Sequence, residues 1–156
     1  MEYKKVSDSM VEQYHIILQS DINGVGRLFG GRLIQWIDEV ACIVAKRHSG
    51  MNVTTAAIDN LIFKEAAYVG QTIVITGKIT YVGHSSMEIR VDSYVENNKC
   101  QRCPINRAYI TMVALGKDDK PAETAKIKIE TESQKAEFEG AKKRIIYRKQ
   151  RKNEGF

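Results

Sequence analysis

The chain is poor in the residues that mark several large structural classes. Two prolines and 11 glycines among 156 residues, with no internal repeat, exclude collagen-like and mucin-like chains. Three cysteines are too few and odd in number for a disulfide framework, so a reducing compartment is the simpler reading. No apolar run approaches the roughly 18 residues that span a bilayer, and no charged-then-apolar segment opens the chain, so a cytoplasmic protein without a membrane span is expected. Excess charge is also missing from most of the sequence. Residues 1–138 carry 17 basic and 17 acidic residues, and the net +5 comes from residues 139–156 alone. A neutral body does not read as a nucleic-acid-binding one, and no nucleic-acid partner is expected.

What is present fits one compact soluble domain, with 43% apolar and 28% charged residues. The short β-branched run Tyr14 to Leu18 predicts a first strand. Asp21 to Gly31 then holds four glycines in eleven residues, which predicts a loop where backbone approaches something closely. From Arg32 to His48 nothing breaks a helix. Arg32, Gln35, Glu39 and Lys46 form one narrow polar stripe, and a helix so apolar around its girth is expected to be the buried central element. After Ser49-Gly50 the period changes to 2, giving strands over Val53 to Phe63, Thr72 to Val82, Ser86 to Glu96 and Asn106 to Leu115. Glu88, Arg90 and Asp92 alternate with apolar residues, which predicts a half-solvated strand. Residues 132–151 read as an exposed charged helix. Hairpin-length turns imply antiparallel pairing, so the class is α+β, one long helix on a curved sheet of five to six strands.

Asp38 is the residue out of place. On a helix it lies roughly 90° from the centre of the polar stripe, with Ile34, Ala41, Cys42 and Ala45 as row neighbours. A carboxylate so placed must be paired, hydrogen-bonded or raised in pKa, and it is a candidate general base or nucleophile. The alternative is a structural bond to a neighbouring strand. The glycine-rich loop runs into the same helix, whose N-terminal N–H groups suit a polarised carbonyl. Gly31 and Asp38 are roughly 10 Å apart along the axis, so one helix cannot easily supply both halves of an acyl-transfer site. A glycine loop from one subunit and Asp38 from another would solve this.

The stretch Asn23-Gly-Val-Gly-Arg-Leu-Phe-Gly-Gly-Arg-Leu-Ile-Gln-Trp-Ile-Asp38 resembles the signature of the hotdog-fold acyl-CoA thioesterases of the cytosolic acyl-CoA hydrolase type. Ala57-Ile58-Asp59 with Phe63 and Gly70, Gly83-His84-Ser85-Ser86-Met87, and Thr111 to Leu115 look like later stretches of the same family. The likeness covers about residues 10–121. It implies a hotdog fold over residues 1–125, followed by a basic helical tail over 126–156. It also implies hydrolysis of fatty acyl-CoA to free acid and coenzyme A, with no metal or other cofactor. The smallest active unit would be a homodimer of hotdogs, assembled into a hexamer as a trimer of dimers. Carried over by residue, Asp38 would be the catalytic carboxylate and Asn23 its partner from the opposing subunit. The backbone N–H groups of Gly30 and Gly31 would polarise the carbonyl, and His84, Ser85, Ser86, Met87, Lys64 and Arg90 would contact coenzyme A. Ala66 and Gln71 depart from the proline and aspartate frequent in the family.

Two other readings stand beside this one: a hotdog module that binds acyl-CoA without turnover, and a hydratase or dehydratase of the same fold. Retention of Asp38 and Asn23 argues against the first, and the lack of a histidine between them against the second. Cys100-x-x-Cys103 alone cannot complete a four-ligand zinc site. Trp36 reads as core or interface filling. The basic tail reads as a solvated face or assembly contact, as an attractor of polyanionic substrate, or as a surface for other partners.

Overall fold

The computed structural model describes residues 2–59 and 61–156. Chain order runs β1 (Tyr3–Lys5), β2 (Val11–Ile16), α1 (Gly30–Ser49), β3 (Asn52–Asp59), β4 (Thr72–Val82), β5 (Ser86–Glu96), β6 (Arg102–Leu115), β7 (Lys126–Lys128) and α2 (Glu132–Glu154). Five strands form one antiparallel sheet in the order β2-β4-β5-β6-β3, while β1 and β7 pair in parallel as a separate ribbon. The expected α+β hotdog arrangement, a long helix wrapped by a curled antiparallel sheet, is the one observed.

The helix α1 starts at the glycine pair, two residues before the predicted point, and stops at Gly50. Gly50 sits at φ +68° and returns its N–H to the Lys46 carbonyl, a left-handed cap that glycine adopts without strain. The predicted polar stripe is real: Arg32 donates to Gln35 and Gln35 to Glu39. On the opposite side Leu33, Ile37, Val40 and Val44 enter the concave face of the sheet against Ile73, Ile75, Ile89 and Ile110. The closest approach is at Gly77 of β4, where an added Cβ would lie 2.6 Å from Val40 Cγ1. Trp36 is core, its ring stacked on His15 at 4.2 Å.

The strands β4 and β5 have the predicted bounds, and β6 is four residues longer than expected. The first predicted strand, found as β2, starts three residues earlier than expected and ends two residues earlier. The strand predicted over Val53 to Phe63 is shorter, because β3 ends at Asp59 and residues 61–63 leave the sheet; residue 60 lies outside the described residues.

Two expectations are corrected by α2. It is a helix, as predicted, but it is not freely solvated, and β5 is not half-solvated. The ribbon of β1 and β7 returns the chain across the sheet, and α2 then lies over the convex face of β4 to β6. Ala141 on its inner face is fully buried, and beneath it Glu88 is 2% exposed and Asp92 is 7% exposed. Arg144 of α2 holds Glu88 at 2.8 Å and lies 3.6 Å over the ring of Tyr109, while Glu137 takes Arg90. The contact combines these ion pairs with Phe138, which packs against the core with its ring 4.9 Å from that of Tyr81, and the many charges around it make the helix read as solvated.

Candidate active site

The segment from Asp21 to the start of α1 is a loop held from inside by polar groups. Asp21 is 8% exposed; it accepts the Leu18 N–H at 2.8 Å and lies 3.1 Å from Arg32 Nε on α1. Asn23 Oδ1 accepts the N–H groups of Val25 and Arg27 at 3.0 and 3.1 Å, which folds the glycine turn around its side chain. Both acceptor contacts use the amide oxygen, so the Nδ2 donors remain for a ligand. At the entry to α1 the preceding residue, Phe29, provides no side-chain cap. The N–H groups of Gly30 and Gly31 have no backbone acceptor among the described residues, and they carry the positive end of the helix dipole. An added Cβ on Gly31 would meet the Phe29 ring at 2.7 Å, so a side chain there would displace the ring beside these donors.

Asn23, Gly30, Leu33, Phe63 and Lys64 line one cavity of about 320 Å³. Asp38 is not among its walls. Two turns further along α1, the Asp38 carboxylate accepts the Thr55 hydroxyl at 2.6 Å, the usual length for a hydroxyl bonded to a charged oxygen. Thr55 lies at a β-bulge of β3, where the register slips between Thr55 and Ala57 opposite Met112 and Thr111. A bulge twists an edge strand and re-aims its side chains, and here it points the hydroxyl at α1. Asp38 therefore bonds a neighbouring strand through one carboxylate oxygen, and its second oxygen takes no hydrogen bond among the described residues. Thr55 was not singled out in the sequence, since its partner lies on a different element and alternation does not flag it.

The expected coenzyme A contacts do not converge. Met87 is fully buried in the core, because odd positions of β5 face α1, so it is not a surface contact. Arg90 is engaged by Asp92 at 2.8 Å and by Glu137 beneath α2, so its charge is spent within the fold. At the turn between β4 and β5 His84 is exposed, its Nδ1 3.9 Å from Glu123, while Ser85 and Ser86 are half-buried. Lys64 is exposed at the rim of the Asn23 cavity. Gln71 accepts the Tyr68 N–H at 2.8 Å and so closes the turn before β4. Among the described residues no group of three or more His, Cys, Asp or Glu is placed to hold a metal ion, and both Cys100 and Cys103 are exposed free thiols.

The geometry is a helix N-terminus with unfilled donors, a loop amide and a separate carboxylate held by a hydroxyl. The thioesterase superfamily profile matches residues 25–100. The chain is 30% identical to the uncharacterised acyl-CoA thioester hydrolase YkhA of Bacillus subtilis, over 97% of this chain and 88% of that protein. The chain belongs to the hotdog-fold acyl-CoA thioesterases. Rat cytosolic acyl coenzyme A thioester hydrolase is 35% identical over 152 residues, covering 95% of this chain. The chain spans only 40% of the length of that relative. Among solved thioesterase structures, an apo hexameric acyl-CoA thioesterase superposes with a TM-score of 0.92 at 33% identity, covering 97% of each chain. The acyl-CoA hydrolase of Staphylococcus aureus, in complex with butyryl coenzyme A, coenzyme A and coenzyme A disulfide, gives 0.92 at 29% identity, over 98% of this chain and 94% of that one.

Proposed function

We propose that this thioesterase hydrolyses fatty acyl-CoA to free acid and coenzyme A, at sites shared between two copies of the chain. The observation that carries the reading is the Asn23, Asp38 and Thr55 set. The Staphylococcus aureus acyl-CoA hydrolase has been solved as alanine variants at an asparagine, an aspartate fifteen residues later and a threonine seventeen residues after that. Asn23, Asp38 and Thr55 keep both intervals.

In this reading the thioester oxygen accepts from the N–H groups at Gly30 and Gly31, assisted by Asn23 Nδ2. Asp38 of the partner subunit, oriented by the hydroxyl of that subunit's Thr55, takes a proton from water as the oxygen adds to the carbonyl carbon. Collapse of the tetrahedral oxyanion breaks the C–S bond and expels the coenzyme A thiolate, which is then protonated. Every step uses groups of the chain itself, so the reading requires no cofactor.

The open edge of β3 supports a shared site. It pairs with β6 on one side only. Two such edges laid antiparallel bring the Asn52 end of one copy beside the Asp59 end of the other. Phe63 and Lys64, which follow β3, then approach the partner's Asp38 and Thr55 with the Asn23 cavity. Val25, Phe29, Ile62 and Phe63 are half exposed or more around that cavity, as an unpaired subunit face would be. A hexamer built from three such dimers is the assembly we propose, as in the hexameric neighbour.

The test is thiol release from acyl-CoA substrates of increasing chain length, comparing the wild type with Asp38→Ala. The expected result is hydrolysis by the wild type and its near-complete loss in a variant that still folds and assembles. Full activity in Asp38→Ala would remove the carboxylate from the mechanism. Tight binding of acyl-CoA without turnover by the wild type would favour the ligand-binding module.

A further inference from the structure

The segment that follows β3 separates two cavities. Asp59 ends the strand, and residues 61–66 then run between α1 and α2. On one side Ile62 and Lys64 line a cavity of about 610 Å³ with Arg144, Tyr147 and Arg151 of α2. On the other side Phe63 and Lys64 line the cavity that holds Asn23 and Gly30. The Phe63 ring lies against the first turn of α1, where an added Cβ on Gly30 would be 3.4 Å from it. The N–H groups proposed for the thioester oxygen are therefore backed by a side chain of this segment. The segment itself is thinly tied. Among the described residues two hydrogen bonds reach its backbone, from Asn106 Nδ2 to the Ile62 carbonyl at 2.6 Å and from the Lys64 N–H to the Ile105 carbonyl at 3.0 Å. Its root is gripped harder. The Asp59 side chain is 12% exposed and accepts one bond from each of two arginines a turn apart on α2, Arg148 at 2.7 Å and Arg151 at 2.6 Å. Two guanidinium groups on one largely buried carboxylate hold more firmly than a single surface pair. None of these three residues lines the Asn23 cavity.

We infer that Asp59, Arg148 and Arg151 are positioning residues for the hydrolysis. The clamp from α2 fixes where the segment leaves the sheet, and through it the seat of Phe63 on the turn that carries the Gly30 and Gly31 donors. The inference rests on the acyl-CoA reading above. It gives the basic helix a task in turnover that needs no contact with substrate, because a misplacement of about 1 Å in preorganised groups costs up to about 10²-fold in rate.

Three measurements on the assembled protein test it. In steady-state thiol release, kcat and kcat/KM should fall together about tenfold in Asp59→Asn and in the double variant Arg148→Gln with Arg151→Gln, while KM stays put. Replacing both arginines by lysine should keep most of the activity, since each supplies a single bond to the carboxylate. The second measurement repeats Asp59→Asn in a Phe63→Leu background. It should cost less than about twofold there, because the ring through which the clamp acts is already gone. The third is amide exchange of the peptide containing Lys64, which should quicken in Asp59→Asn while β4 and β5 exchange as in the wild type. A KM that rises at constant kcat overturns the inference, since the arginines would then hold substrate themselves. Full additivity of Asp59→Asn with Phe63→Leu overturns it as well, as does unchanged exchange at Lys64. A wild type that cleaves no acyl-CoA, with exchange still quickened by Asp59→Asn, upholds the clamp and sinks the hydrolase reading instead.

Discussion

The two faces of the sheet are covered by helices of similar length that are held in opposite ways. On the concave face α1 enters with apolar side chains, and the fit is steric, tight enough at Gly77 to exclude a methyl group. On the convex face α2 packs Ala141 and the half-buried Phe138 and is otherwise held by Arg144, Glu137 and their partners on β5 and β6. Apolar packing tolerates no polar atoms but leaves a repeating pattern in the sequence. Ion-pair packing leaves only charges, which read as a solvated surface until their partners are known. The proposed chemistry lies on the concave side, since α1 carries both the Asp38 carboxylate and the N–H groups of Gly30 and Gly31.

The largest effect that sharpens this division is kinetic. Asp38→Asn should lower kcat by about 10²–10⁴-fold with melting unchanged, read by thiol release beside thermal unfolding. On the other face, Arg144→Met leaves Glu88 buried without its partner and should cost about 3–5 kcal/mol by denaturant unfolding. Replacing both members, Glu88→Leu with Arg144→Met, should recover most of that loss, which would show that the pair confers orientation more than stability. If the double variant is as unstable as the single, the convex face is not held as described. Truncating the concave side with Ile37→Ala should cost about 2–5 kcal/mol, with no such rescue available from charge.

The smallest effect comes from the seam between the two regions. His48, at the end of α1, is fully buried and bonds the Ala125 carbonyl at 2.8 Å where the chain turns toward β7. Burial lowers its pKa below the ordinary histidine value of about 6.5, and burial shifts His15 in the same direction. The unfolded chain therefore binds the proton first, and stability is lost as pH falls below about 6.5, by at most about 1.4 kcal/mol per pH unit per group. Unfolding measured from pH 7 to 5 should show this slope, and His48→Gln should flatten it. An equal slope in both proteins would assign the acid sensitivity elsewhere.

Legibility followed the same physics. The bounds of β4 and β5, the extent of α1 and the position of Asp38 were readable because they rest on period and on one misplaced charge. Thr55 was not, since its role depends on a bulge that alternation cannot reveal. Arg90 was expected at the ligand as a basic residue near the turn at Gly83 to Met87, yet Asp92 and Glu137 of α2 engage it. Met87 was taken from the turn it adjoins, although its parity places it in the core.

The sequence by itself determined the apolar helix, the antiparallel strands and the loop with its glycine pair, because each follows from local spacing and backbone freedom. The tertiary structure decided what faces what: Thr55 against Asp38, α2 on the convex face, and Lys64 between two cavities. These are contacts between residues far apart in the chain, made by polar groups whose partners no local pattern encodes.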